Sequence, residues 1–157
     1  MGRQFRCNAP ESSSRFASEI AWLEWQLIIV DTSIWIDYIN KNSSPQVIWL
    51  DTYISTLRLG LTDLILCEVL QGFSNEKQAR VVEQALRTFA IYSSAGVNLA
   101  IASAKNYRFL RNKGRTVRKT VDCFIATLCI LDNHQLLHND RDFDLFENYL
   151  GLRVVHP

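Results

Sequence analysis

An unbroken run of branched apolar residues, Leu27-Ile28-Ile29-Val30, stops at a carboxylate, Asp31, and is followed by Thr32-Ser33 and a second apolar run, Ile34-Trp35-Ile36. Apolar side chains on consecutive rather than alternate positions need cover on both faces, the environment of a central strand in a parallel sheet. Ser33 suits the N-cap of the following helix, because its hydroxyl can accept a hydrogen bond from an unpaired first-turn N–H. Asp31 is thereby expected where a buried strand ends and its helix begins. In open α/β sheets that carboxyl edge is where ligands bind, so Asp31 is the first candidate site residue.

The rest of the chain alternates helical and strand patterns. Helices are expected over 33–41, from Pro45 to about Leu57, over 64–71 (capped by Thr62 or Asp63 and ended at Gly72), over 75–88, over 97–113 (closed by Gly114), from Thr116 through Leu128, and over 142–150. Short strands are expected just before Asp63, over 89–92, over 135–138 and over 152–155. This alternation predicts an α/β fold, a three-layer sandwich whose central, mostly parallel sheet is flanked by helices. Residues 27–157 read as one domain. Residues 1–26 read as an N-terminal extension: Gly2 to Ser14 is polar and aperiodic, and Phe16, Ile20 and Leu23 allow a short amphipathic helix.

Composition mainly excludes. No apolar run approaches the roughly 20 residues of a membrane span, and the N-terminus lacks the layout of a secretion signal. The four cysteines form no Cys-x-x-Cys pair, which argues against a zinc or redox motif, and two of them lie inside apolar helical patterns as small hydrophobes. A cytoplasmic protein with reduced thiols is expected. The net charge of +1 is silent about partners, so only the distribution of charge is informative.

Most of the sixteen acidic residues sit in polar contexts that solvation explains. Asp31, Glu68, Asp122 and Asp140 do not: each follows or interrupts an apolar run, at a strand end or in the first turns of a helix. An N-cap or an ion pair would explain any one of them, but the layout places several at one sheet edge. Two carboxylates about 4 Å apart repel by roughly 4 kcal/mol at an effective dielectric near 20. Either one holds a proton or a cation joins them. Hard oxygen donors without His or Cys select Mg²⁺ or Mn²⁺, and such a site suits phosphodiester hydrolysis.

Four stretches then carry a resemblance: Val30-Asp31-Thr32-Ser33-Ile34-Trp35-Ile36-Asp37, Glu68-Val69-Leu70-Gln71-Gly72, Val121-Asp122-Cys123-Phe124-Ile125-Ala126-Thr127 and Leu136-Leu137-His138-Asn139-Asp140-Arg141-Asp142-Phe143. In this order they resemble PIN-domain ribonucleases, and among them VapC-type toxins of toxin–antitoxin pairs. The resemblance covers 27–157. It implies a PIN nuclease domain and a Mg²⁺- or Mn²⁺-dependent endoribonuclease acting through metal-activated water. It further implies an RNA substrate, a cognate antitoxin protein that holds it inactive, and a homodimer. Asp31, Glu68, Asp122 and Asp140 fall on the family's acidic quartet. Asp31 and Asp122 are the expected metal ligands, while Glu68 and Asp140 orient water or help hold a second ion. Ser33 and Asn139 fall on supporting positions, and Asp142 on a recurrent second acid expected to support the site or cap a helix. Such toxins usually begin a few residues before the first strand, so residues 1–26 are the departure.

Lys105, Arg108, Arg111, Lys113, Arg115, Arg118 and Lys119 are seven of the seventeen basic residues within fifteen positions that contain no acid. A solvated helix face would look the same. Immediately upstream of Asp122 a phosphate-contacting strip is the better reading, with Arg111, Arg115 and Arg118 as the expected RNA contacts. Of the interleaved aromatics, Tyr107 is open to base stacking and Phe109 is expected in the core. His138, two residues before Asp140, is open to carrying a proton but is expected to be structural, and the tryptophans are expected in the core or an interface. A haloacid-dehalogenase-like phosphatase would need a second Asp where Ser33 stands. A receiver domain would need an Asp ending the strand at Tyr92. The remaining alternative is a non-catalytic PIN-fold module that binds RNA or a partner.

Overall fold

The computed structural model describes residues 27–157. The extension, with its expected amphipathic helix, Trp22, Trp25 and Cys7, lies outside the described residues. The chain runs β1 (Ile28–Val30), α1 (Thr32–Ile39), α2 (Pro45–Tyr53), β2 (Leu59–Thr62), α3 (Asp63–Gln71), α4 (Glu76–Leu86), β3 (Ala90–Tyr92), α5 (Val97–Asn112), α6 (Thr120–Leu131), β4 (Gln135–Leu137), α7 (Asp142–Leu150) and β5 (Arg153–Val154). The five strands form one sheet in the order β3-β2-β1-β4-β5, every pair parallel. The expected α/β architecture is the one observed, with β1 at its centre.

The pattern of β1 explains that place. Ile28, Ile29 and Val30 are wholly buried, as consecutive apolar residues require when helices cover both faces. Gly60 in β2 allows the neighbouring backbone to come close: a Cβ there would stand 2.8 Å from the Ala90 carbonyl oxygen. Phe143 and Phe146 of α7, Ile34 and Trp35 of α1 and Ile125 of α6 fill the space on the sheet. Trp35 packs against Phe89 at 5.0 Å between ring centres, so its structural reading holds.

Helix starts follow local chemistry. Ser44 caps α2 ahead of Pro45 by accepting from the Val47 N–H, and Thr62 caps α3 by accepting from the Ile65 N–H. Asn75 caps α4. Gly114, at φ +72°, takes the left-handed turn after α5.

Three expectations are corrected. The cap of α1 is Asp31 rather than Ser33: the Asp31 side chain accepts from the Ser33 N–H, and α1 therefore begins at Thr32. α2 is shorter than expected and ends at Tyr53. α6 begins at Thr120 rather than Thr116. Val117 is buried ahead of it, and the Arg118 N–H donates to Asp142 Oδ2 at 2.9 Å, which holds this loop out of helical geometry.

Candidate active site

The parallel sheet brings the ends of β1, β2 and β4 to one edge, and with them the first turns of α1, α3 and α7. Asp31 follows β1 directly, and its backbone N–H still donates to the Leu137 carbonyl of β4 at 2.9 Å. Its carboxylate is only 5% exposed. Oδ2 accepts from both the Ser33 N–H (3.1 Å) and the Ser33 hydroxyl (2.7 Å). Burial nevertheless raises its pKa, against those hydrogen bonds and with a smaller push from Glu68.

Asp122 lies in the first turn of α6 and is 4% exposed. Its Oδ2 is buried without a hydrogen-bond partner among the described residues. Burial, with the charges of Asp31, Asp140 and Asp142, pushes its pKa up to about 7, although Lys119 acts in the opposite sense. Glu68, on α3, is half-buried, and its Oε2 accepts from the Thr32 hydroxyl at 2.6 Å. Asp140, after β4, accepts from the Asp142 N–H at 3.1 Å. Its pKa is lowered: burial raises it, but the Asp142 N–H, Lys119 and Arg118 outweigh burial.

Asp31 lies within electrostatic reach of Glu68, and Asp122 within reach of Asp31 and Asp140. Ser33 supports Asp31 directly. Asp142 is 7% exposed and holds Arg118 through its Nε at 3.2 Å and its backbone N–H. It opens α7 as a first-turn residue, while its N–H is met by Asp140. Asn139 is exposed beside them.

The basic strip divides. Arg111 and Arg115 are exposed, as expected of phosphate contacts. Arg118 instead reaches back to the acids, with Nη2 3.2 Å from Asp140 Oδ1. Lys119 does the same, with Nζ 3.5 Å from Asp140 Oδ2, and its own pKa is raised chiefly by Asp122. Phe109 is corrected: it is 40% exposed, with Lys113 Nζ 5.7 Å from its ring centre, while Tyr107 packs partly against the core. His138 is buried against Phe143 at 5.0 Å between ring centres, with its pKa lowered by burial, in keeping with a structural part.

Two contacts at this edge escaped the sequence reading. Thr32 was passed over beside Asp31, although a hydroxyl next to a candidate ligand is the available signal. Asp63 ties the loop after β3 to the start of α3, accepting from the Ser94 N–H at 2.9 Å and from the Ser94 hydroxyl. Only the fold brings Ser94 to it.

The donor set fits a hard divalent cation. Asp31 and Asp122 offer carboxylate oxygens, and Asp122 Oδ2 has no hydrogen-bond donor among the described residues. Among the described residues no group of three or more His, Cys, Asp or Glu side chains could hold an ion. One or two carboxylates completed by water is the usual way Mg²⁺ is bound.

A PIN domain model matches residues 28–148 of the chain. "VapC ribonuclease Mb1587" of Mycobacterium bovis and "Ribonuclease VapC11" of Mycobacterium tuberculosis are each 30% identical to it over 134 residues, which is 82% of this chain and 98% of theirs. Among solved structures, VapBC2 from Rickettsia felis bound to a promoter DNA fragment superposes with a TM-score of 0.66 at 18% identity, covering 82% of this chain and 97% of that one. FitAcB from Neisseria gonorrhoeae gives 0.65 at 20% identity, covering 83% and 97%. At such identities the structural likeness speaks for the fold.

Proposed function

The chain belongs to the PIN-domain family, and from that premise we propose that it is a VapC-type endoribonuclease, the toxin of a toxin–antitoxin pair. The observation that carries the reading is the pair Asp31 and Asp122. These are two buried carboxylates at the carboxyl edge of a parallel sheet, one with an oxygen that has no hydrogen-bond partner among the described residues. Buried carboxylates are costly to keep ionised, and Lys119 offsets that cost at Asp122 only in part.

In this reading Asp31 and Asp122 hold Mg²⁺ or Mn²⁺. When bound, the ion lowers the pKa of a water and stabilises charge on the phosphoryl group. Ser33 fixes the Asp31 carboxylate through two hydrogen bonds. Thr32 fixes Glu68, which with Asp140 orients the attacking water. Lys119 and Arg118 lie beside the acids, where a phosphate oxygen can exchange for the Asp140 contact. Arg111 and Arg115 carry the RNA backbone away from the site.

The relatives' names and the toxin–antitoxin complexes among the fold neighbours support a small antitoxin as the partner. A homodimer and a cytoplasmic location complete the proposal. No described helix is long and apolar enough to cross a membrane. Residues 27–157 form the nuclease domain and 1–26 an extension to it.

The test is cleavage of labelled RNA by the purified chain, with Mg²⁺ or Mn²⁺ and with a chelator. Ion-dependent cleavage that Asp122→Asn removes is the expected result. RNA left intact in the presence of either ion, with the protein folded and free of antitoxin, would favour the non-catalytic module.

A further inference from the structure

A cavity of about 290 Å³ opens between α5 and α6, beside the acids rather than among them. This is near the lower bound of roughly 300 Å³ for small-molecule pockets, so it has room for one flat ring system. Its walls are largely apolar, with the rings of Tyr107 and Phe124 among them and Ala100 and Ala104 alongside. The Cys123 thiol adds to the apolar wall.

One buried wall residue is out of keeping with an apolar slot. Ser103 is 2% exposed, and its hydroxyl has no hydrogen-bond partner among the described residues. A buried hydroxyl left unpaired is costly, and an aliphatic plug would leave it so. A ligand with both a π face and a hydrogen-bonding edge would satisfy the rings and the hydroxyl together.

Position narrows that ligand. Thr120 and Cys123, which line the cavity, flank Asp122 on α6. Arg108 stands at the cavity and is exposed, and Lys105 and Arg111 are exposed on the same helix. A ring held here by a chain whose phosphates follow α5 would meet positive charge outside the cavity and the carboxylates within a turn of α6.

We propose that the α5–α6 cavity is a nucleobase subsite, taking one unpaired base of a single-stranded RNA close to the phosphodiester at Asp122. Tyr107 and Phe124 supply the apolar faces, Ser103 reads the base edge, and Arg108 holds the adjoining phosphate. Stacking tolerates any base, whereas a hydroxyl placed against the edge discriminates among them. The cavity thus gives the chain a base preference at one position beside the cut. The inference rests on the nuclease reading for its substrate class.

The test uses a single-stranded RNA carrying one 2-aminopurine, bound to the full chain in an Asp31→Asn background so that it is not cut. Base fluorescence reports occupancy of the cavity, and anisotropy of a terminal label reports binding as a whole. Fluorescence is expected to change on binding. Ala104→Phe, an exposed position at the cavity, should abolish that change while anisotropy still reports binding through the basic strip. Ser103→Ala should retain the fluorescence change but narrow the affinity difference between oligonucleotides that vary only in the base at the labelled position, by about threefold or more.

A fluorescence change unaffected by Ala104→Phe would overturn the subsite. So would Ala104→Phe shifting the oligomeric state with base fluorescence intact, because the cavity would then be a contact between copies of the chain. Base occupancy in a protein whose wild-type form cuts no RNA would uphold the subsite and overturn the nuclease reading instead.

Discussion

The Thr32 hydroxyl donates to Glu68 Oε2 at 2.6 Å, joining two residues 36 positions apart and fastening the first turn of α1 to the middle of α3. Thr32 adjoins Asp31, so a single hydrogen bond fixes the distance between the carboxylate that ends β1 and the one carried by α3. Glu68 is itself only half-buried, so this hydrogen bond helps to hold its side chain in place.

Thr32→Val keeps the shape and removes the donor. Loss of a hydrogen bond to a charged group should cost about 1.5 kcal/mol of stability, read as a lower urea midpoint. Activity should fall about 10- to 100-fold, the range for residues that orient a metal site's acids. Unchanged cleavage would mean that Glu68 takes no part in the reaction.

Asp31→Asn and Asp122→Asn should each reduce ion-dependent RNA cleavage to background with the circular dichroism spectrum preserved. Asn is as good an N-cap as Asp, so α1 should survive the change at Asp31. Wild-type rates from either purified variant would remove that residue from the site.

Stability of the metal-free chain should depend on pH through Asp122. Unfolded, its carboxyl ionises near its ordinary value of 3.8; folded, it holds its proton to about pH 7. Between these values the folded state binds more protons, so stability falls as pH rises from about 4 to 7, by up to roughly 4 kcal/mol for this group. Denaturant melts in the presence of a chelator should show that decline, and Asp122→Asn should reduce it, leaving the contribution of Asp31, whose pKa burial also raises. A decline of equal size in the variant would assign the effect to other groups.

Mg²⁺ or Mn²⁺ at about 100 times its Kd should stabilise the chain by roughly 2.7 kcal/mol. The gain should shrink in Asp31→Asn. A melting temperature indifferent to both ions would count against a shared carboxylate site.

The strip on α5 and the loop after it is tested by salt. Each phosphate contact to single-stranded RNA contributes about 0.7 to the slope of log affinity against log salt. Arg111→Ala with Arg115→Ala should therefore reduce the slope by about 1.4. Arg118 is left out of this pair because it is engaged with Asp140 and Asp142. An unchanged slope would place the RNA path elsewhere.

The sequence by itself determined the sheet and its acidic edge. Continuous apolar runs need two-sided burial, and an acid directly after such a run can only emerge where the strand ends. Asp31 was therefore legible in the sequence, Asp140 in the turn after the next apolar strand, and Asp122 in the helix pattern around it. Tertiary structure decided what those acids touch. The start of α6 at Thr120, the pairing of Arg118 with Asp142, the bond from Thr32 to Glu68 and the exposure of Phe109 all depend on partners 20 or more residues away or on which helix face the sheet covers. Spacing records which side chains share a face of their own element. It does not record which distant element the fold lays against that face, and the hydrogen bonds and ion pairs of the site are made across that junction.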